Sequence, residues 1–466
     1  MQKYFVVETD KPALNYKCGE QITFKVFARN NIEPFDCPFV EWKIVGDDGK
    51  QSGGLGEIRK DRPLVLTASC DRPGFVRLIC TAKCPDSVPD PEWDVFDGGA
   101  GVEPEKIEYC DTVPEDFDGY WGEIEQTVAD FTPELVESNK ISEGVPGDFD
   151  CYDIRITTPV DGMFASGILT VPKTDSQLKL KIHFMGYSVK GADKICSDGY
   201  ITLCVNAHGF ENCLPKVVLE QKYKNLLGYG FNEAENASPY TTYWRNMMIR
   251  DLSAAKWLSA HKQWDGKVYI ACGGSQGAFQ ATTVAAHFDK ITFLNIWIPW
   301  FCNLNGEANG YMGGWRPKFS EGLRYFDTAA QATRVKCPAK IVAYLGDYCC
   351  PPSSIMAMYN NLTVSKSLDF IQNGTHGYRP PQRVAFFLRH DAGLASDEIK
   401  IGRYRHFKGK EYEVTATAYN SETLETTVVY KALYGDGATW VRPAHMWNEL
   451  VEHNGKLVRR FEYVGE

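Results

Sequence analysis

Apolar and polar residues alternate with a period of two in the first part of the chain. Residues 21–27, 40–45 and 74–80 each read as a short strand, and turns at Gly46-Asp47-Asp48-Gly49 and Asp71-Arg72-Pro73-Gly74 separate them. Such spacing predicts a small β-sandwich over residues 1–112. The Pro-, Asp- and Gly-rich stretch 85–104 reads as a loop or linker. The pattern then changes. From about 113 to 396, near-continuous apolar runs at 178–184, 200–206, 267–272, 291–298, 339–345 and 367–371 predict buried strands. Segments with helical spacing fall at 243–261, 276–287, 352–361 and 381–390. Strand–helix alternation of this kind predicts an α/β fold with a doubly wound, mainly parallel sheet. Alternation returns at 411–416 and 426–430, so residues 397–466 are expected to form a small β-rich module.

Composition narrows the field. The chain has 466 residues, 44% hydrophobic, 24% charged and 13% aromatic, too apolar for a disordered polymer. A formal net charge of −10 opposes a phosphate backbone, which argues against a general nucleic-acid binder. No run of 18 or more apolar residues exists, so no membrane span is expected. The first twelve residues do not read as a signal peptide, and a cytoplasmic location is expected. The 15 cysteines are scattered, Cys349 and Cys350 are adjacent, and no paired Cys-x-x-Cys set occurs. Reduced thiols are expected, with no metal.

The chemistry centres on Gly273-Gly274-Ser275-Gln276-Gly277. This is a G-x-S-x-G pattern between a predicted strand and a predicted helix, the context a nucleophile elbow requires. Small neighbours let the backbone turn sharply and raise the serine hydroxyl above the sheet. The N–H of Gln276, at a helix start, can then help to bind an oxyanion. A hydroxyl is a weak nucleophile at neutral pH, so Ser275 needs a base, and the base needs an orienting acid. In the order acid then histidine, Asp347 follows the strand 339–345, and His376 sits in Asn373-Gly374-Thr375-His376-Gly377 after the strand 367–371. Rivals are Asp327, Asp369, His390, His406, His445 and His453. A rate rising with pH through about 6.5 is expected of a histidine base. The loop Gly186-Tyr187-Ser188 offers Tyr187 N–H as a second oxyanion donor. His208, Trp297, Trp300 and Phe301 are candidates to line the substrate pocket, with packing as their alternative role.

Residues 120–392 resemble the acetyl xylan esterase and cephalosporin C deacetylase family, carbohydrate esterase family seven. The resemblance rests on Phe184-Met185-Gly186-Tyr187, the Gly273 to Gly277 motif, Arg324-Tyr325-Phe326-Asp327, Lys336-Cys337-Pro338, Gly346-Asp347 with Pro351-Pro352-Ser353, Tyr359-Asn360-Asn361-Leu362, and His376. It implies a serine esterase that removes acetyl groups from carbohydrate or other small esters. Ser275, Asp347 and His376 would be its triad, and Tyr187 and Gln276 N–H its oxyanion hole. No cofactor is implied. Two departures, His208-Gly209-Phe210 in place of the family's Arg-Gly-Gln and Gly377 in place of Glu after the histidine, bear on substrate preference and on the family's hexameric assembly. A homo-oligomer is an open expectation. The N-terminus, from Thr9-Asp10-Lys11-Pro12 to Cys18-Gly19-Glu20, resembles an immunoglobulin- or macroglobulin-like module. The tail, at Tyr404-Arg405-His406-Phe407, Tyr430-Lys431-Ala432-Leu433-Tyr434 and Trp440-Val441-Arg442-Pro443, resembles a small bacterial domain of unknown function. Alternatives are a prolyl-oligopeptidase-type peptidase, for which about 110 leading residues are too few to build a propeller, and a non-catalytic carbohydrate-binding scaffold.

Overall fold

The computed structural model describes residues 3–30, 33–84, 89–377, 387–390, 399–419, 426–447, 449–453 and 456–465. The chain opens with eight strands: β1 Lys3–Thr9, β2 Ile22–Asn30, β3 Glu33–Pro34, β4 Cys37–Gly46, β5 Gln51–Ile58, β6 Leu64–Ala68, β7 Gly74–Ala82 and β8 Phe96–Val102. They form two antiparallel sheets, one of β1, β2, β3 and β6, the other in the order β5-β4-β7-β8. Alternate residues such as Phe24 and Val26 in one sheet and Val40 and Leu78 in the other meet in a single apolar core. The alternation seen in the sequence is therefore the inside–outside pattern of a sandwich.

Strand β8 replaces part of the expected linker. Residues 85–88 lie outside the described residues, but 96–102 pair with β7 along its whole length and are buried throughout. The sequence Phe96-Asp97-Gly98-Gly99-Ala100-Gly101-Val102 has weak intrinsic strand preference because of its glycines. Those glycines are there for close approach. A Cβ on Gly99 would stand 2.0 Å from the Val76 carbonyl oxygen, and one on Gly98 would stand 2.0 Å from Gln372 Oε1.

The middle of the chain comprises α1 Phe117–Asp130, β9 Leu135–Ile141, β10 Phe149–Thr157, β11 Phe164–Pro172, β12 Leu178–Phe184, β13 Tyr200–Asn206, α2 Lys216–Leu226, α3 Tyr243–Leu258, β14 Trp264–Gly274, α4 Gln276–His287, β15 Phe293–Trp297, α5 Thr328–Ala332, β16 Ala339–Tyr344, α6 Pro352–Asn361, β17 Lys366–Ile371 and β18 Phe387–His390. Its sheet has the order β18-β17-β16-β15-β14-β12-β13-β11-β10-β9. The run from β13 to β17 is parallel, and antiparallel strands extend both edges. The helix expected over 381–390 is not what the described part of that stretch forms. Residues 381–386 lie outside the described residues, and Phe387–His390 pairs antiparallel with β17. The open edge of β17 supplies backbone partners, a tertiary contribution invisible to local periodicity.

One face of the parallel strands packs through Ala271, Leu294, Ile296 and Ile341 into a core shared with α1 and α3 to α6. The other face carries Val268, Ile270, Cys272 and Phe293, and Leu457 of the tail packs on it. The tail holds β19 Gly402–His406, β20 Glu411–Tyr419, β21 Thr426–Ala432, β22 Thr439–Pro443, α7 Ala444–Trp447, β23 Leu450–His453, β24 Lys456–Arg459 and β25 Phe461–Gly465. Trp447 stacks flat on Phe461 at 3.9 Å at its centre. Lys340 of β16 reaches across to it, donating to the Leu450 carbonyl at 3.0 Å and Glu449 at 3.2 Å. Among the described residues no helix is long and apolar enough to cross a membrane.

Candidate active site

Chain order makes β12 a switch point: β13 lies on one side of it and β14 on the other. Loops that leave the C-terminal ends of such strands diverge and leave a crevice. Ser275 stands there, between β14 and α4, with φ 55° and ψ −121°. A non-glycine residue in that conformation stores roughly 1–3 kcal/mol of backbone strain. The flanking glycines make the turn possible. A Cβ on Gly273 would lie 2.5 Å from the Gly277 backbone, and one on Gly277 would lie 2.1 Å from the Phe184 carbonyl oxygen at the end of β12. The first N–H groups of α4, Gln276 among them, have no acceptor within the helix.

The two residues expected as acid and base leave neighbouring strands. Asp347 follows β16 and is fully buried. Its Oδ1 accepts from the N–H groups of Cys349 and Cys350, both at 2.9 Å, and its Oδ2 faces His376 Nδ1 at 2.9 Å. His376 follows β17, and 32% of its side chain is exposed. The Asp347 carboxylate, and then the Cys349 thiol, hold the imidazole well above its ordinary value, at about 10. Cys349 is held down to about 6, chiefly by its hydrogen bond with Cys350 and also by His376. Among the described residues no hydrogen bond joins the Ser275 hydroxyl to His376. A narrow crevice bordered by Trp300, Cys302, Trp315, Arg316, Cys349 and Cys350 lies beside the thiols that adjoin His376. Trp300 N–H donates to the Ser275 carbonyl oxygen at 3.3 Å. A larger concavity, lined by Trp42 and Leu55, lies on the sandwich, away from these groups.

The sandwich reaches this site. Gly99 of β8 exchanges two hydrogen bonds with the Gln372 side chain, at 2.7 and 2.8 Å, and Asp97 N–H donates to Asn373 Oδ1 at 3.0 Å. A Cβ on Gly346 would stand 2.3 Å from the Asp97 carbonyl oxygen. Arg77, paired with Asp97 at 2.6 and 2.8 Å, lies 4.2 Å over the ring of Tyr348. The loops that carry Asp347 and His376 are thus braced from the sandwich side.

The loop after β12 is braced from the other side. Tyr187 stacks on Tyr229 at 4.2 Å and donates its hydroxyl to the Tyr229 carbonyl at 3.0 Å. Tyr229 in turn donates to Gln276 Oε1 at 2.7 Å, Gln276 Nε2 donates to Gln280 Oε1, and Gln280 Nε2 donates to the buried Asp251. Burial pushes Asp251 up to about 7. The amide side chain next to Ser275 is therefore one link in a directed chain of hydrogen bonds that ties the elbow to the Tyr187 loop.

The remaining sequence candidates are dispersed. His208 Nε2 lies 2.8 Å from the Ser188 carbonyl and must donate to it, so Nδ1 accepts from the Tyr243 hydroxyl at 2.6 Å. Burial depresses this imidazole to about 4, and as a neutral ring it holds the Tyr187–Ser188 loop in place. Trp300 joins Tyr187, Phe231 and Trp315 in an aromatic group beside Ser275, in which Trp315 is 43% exposed. Phe301 stacks on Phe279 at 4.9 Å in the core. Trp297 packs with Val342 and Tyr344 on the other face of the sheet, away from that group. Asp327 caps α5 and accepts three backbone N–H groups, from Asn303, Leu304 and Ala329, which accounts for it structurally. Sequence reasoning passed over Trp315, Tyr229 and the two thiols beside His376. Trp315 and Tyr229 lie in loops without periodicity, and the cysteines carried no spacing signal.

Residues 105–308 and 318–390 match the family described as "Acetyl xylan esterase (AXE1)", and residues 402–463 match "Protein of unknown function (DUF1653)". The acetyl esterase Axe7A of Xylanibacter ruminicola is 25% identical over 341 residues, covering 68% of this chain and 73% of that protein. Among solved structures, an acetyl xylan esterase from Paenibacillus sp. R4 is 19% identical with a TM-score of 0.49, over 60% of this chain and 94% of the other. A DUF1653 protein from Bordetella bronchiseptica is 37% identical with a TM-score of 0.15, over 15% of this chain and 94% of its own. The first of these family matches spans more than half of the residues, so the chain belongs to the acetyl xylan esterase family and is a carboxylic ester hydrolase on an α/β-hydrolase fold.

Proposed function

We propose that Ser275, His376 and Asp347 form a catalytic triad that removes acetyl groups from acetylated carbohydrate, of the xylan type, through an acetyl-enzyme. The observation that carries this reading is the 2.9 Å contact between His376 Nδ1 and a buried Asp347, on the same sheet edge as a serine in a strained strand-to-helix turn. Nδ1–H donates to the carboxylate, which leaves Nε2 free to take the Ser275 proton as the hydroxyl oxygen attacks the ester carbonyl. The tetrahedral oxyanion is stabilised by the N–H groups of Gln276 and Tyr187. The alcohol leaves with the proton from Nε2. Water, activated by the same imidazole, then releases acetate. His376 lies on a partly exposed loop, and its approach to Ser275 is completed when substrate fills the crevice, as catalytic contacts often tighten only in the complex. The exposed ring of Trp315, beside Trp300 and Tyr187, offers an apolar face to the sugar.

The test is acetate release from acetylated xylo-oligosaccharides and from aryl acetates. Ser275→Ala and His376→Ala are each expected to lower kcat/KM by about 10⁴-fold or more while circular dichroism stays unchanged. A serine-directed phosphonate is expected to label Ser275 in the folded protein. Near-normal turnover in Ser275→Ala would remove the acetyl-enzyme route.

A further inference from the structure

The thiols of Cys349 and Cys350 and a ring nitrogen of His376 lie within 4.8 Å of one another, and Cys350 Sγ is 3.8 Å from Nδ1. Neighbouring residues normally point apart. Here Asp347 Oδ1 accepts both of their N–H groups, and the resulting turn directs both sulfurs to the same ring. A tetrahedral zinc ion with Zn–S near 2.3 Å and Zn–N near 2.0 Å requires S···N of about 3.5 Å and S···S of about 3.8 Å. The cluster needs only small adjustments to reach those separations. Two soft sulfurs and an imidazole select a borderline or soft divalent cation such as Zn²⁺ or Cd²⁺ over a hard one.

We propose that Cys349, Cys350 and His376 form an inhibitory site for a thiophilic divalent cation. As the metal–sulfur bonds form, any proton still on either sulfur, above all that of Cys350, is released to solvent. The metal takes the lone pair of Nδ1: the proton now shared with Asp347 goes to solvent when the ring starts as imidazolium, or is carried by solvent to Nε2 when the ring starts neutral, and either way the metal-bound neutral ring holds its proton on Nε2. The nitrogen that would accept the Ser275 proton then becomes a donor, and the imidazole is turned away from its carboxylate. Inhibition by this route rests on His376 being the base, as proposed above. Cation binding does not.

The experiment therefore reads the two separately, on the full chain kept reduced with a non-thiol reductant. Titration with Cd²⁺ is expected to give a thiolate-to-metal charge-transfer band that saturates at one equivalent. That component is lost in Cys349→Ser and kept in Ser275→Ala. Zn²⁺ is expected to suppress acetyl-ester hydrolysis, with EDTA restoring it, and Cys349→Ser to need at least 10-fold more Zn²⁺ for the same fractional loss of its own rate. Cys349 is partly exposed, and this variant is checked for folding by circular dichroism; Cys349→Ala serves as its second form. Equal Cd²⁺ bands in wild type and both Cys349 variants would overturn the site. Cys349-dependent binding with undiminished turnover would overturn the inhibition. If Ser275→Ala turned over normally while the Cd²⁺ band persisted, the triad would fall and the metal site would stand.

Discussion

At the scale of single residues, the proposed mechanism makes the protonation of His376 set the rate. Asp347 and the Cys349 thiol favour the imidazolium and hold this group at about 10, well above the value near 6.5 that the residue type alone suggests. Only the neutral ring can act as base, so kcat/KM is expected to rise with pH along a limb whose midpoint lies well above 6.5. Cys349→Ser removes one of the two raising contacts, and its limb should move to lower pH. A wild-type midpoint at or below 6.5, read from kcat/KM for an aryl acetate, would contradict this. The sign for stability is opposite to that for activity. A raised imidazole contributes fully below its unfolded value, and the contribution is lost as pH rises toward about 10. Asp251 gives a second test. Its carboxyl is fully buried, Oδ1 has no hydrogen-bond partner, and burial raises it to about 7. The folded state therefore holds a proton that the unfolded state releases near 4. Wild-type stability should fall between pH 4 and 7 relative to Asp251→Asn, whose side chain does not titrate. Melting temperatures of the two proteins across that range supply the check, and a constant difference would refute it.

At the scale of elements, β8 shows where local pattern and tertiary demand part. Gly99 lacks a side chain because the Val76 carbonyl occupies the place of its Cβ, and both of its backbone polar groups are claimed by Gln372. Gln372→Ala would leave a buried N–H and a buried C=O without partners. The expected cost is about 2 kcal/mol, read from the midpoint of urea unfolding. The loop leading to His376 would loosen with it, so acetyl-ester turnover should fall as well; an unchanged midpoint would show that β8 does not brace the loop. The same strand explains what could be read beforehand. The parallel strands, α4 and α6 were legible, because continuous apolar runs and helical spacing survive in buried elements, and the Ser275 turn was legible because its glycines are demanded locally. Strand β8 was not, since its glycines answer to Val76 and Gln372 on other elements. Nor were the vicinal thiols beside His376, whose proximity depends on the turn that Asp347 organises. Trp297 looked like its neighbour Trp300, yet the two rings fall on opposite faces once β15 ends between them.

At the scale of the whole molecule, the two flanking β-rich parts meet the catalytic sheet in different ways, and that difference yields a contrast. Leu14 and Phe75 of the sandwich belong to the same buried cluster as the sheet and its helices, and Phe75 packs on Phe370 of β17 at 5.4 Å. Asp97, Gly99 and Arg77 touch the segments that carry Asp347 and His376. The tail instead covers the opposite face through Leu457 and the Lys340 contacts, with no bond to either loop among the described residues. A chain lacking residues 1–112 would expose Phe370 and release the Asp347 and His376 loops together. It should be poorly soluble and lose acetyl-ester turnover almost completely. A chain lacking 397–466 would expose Ile270 and Phe293 and lower the melting temperature, while the Asp347–His376 contact and the strained Ser275 turn remain supported. Its soluble fraction should therefore keep a kcat within about 10-fold of the full chain, a small loss beside that expected of Ser275→Ala. Activity measured on both truncations, normalised to folded protein, decides the matter: equal losses would mean that the sandwich has no special hold on the loops that carry Asp347 and His376.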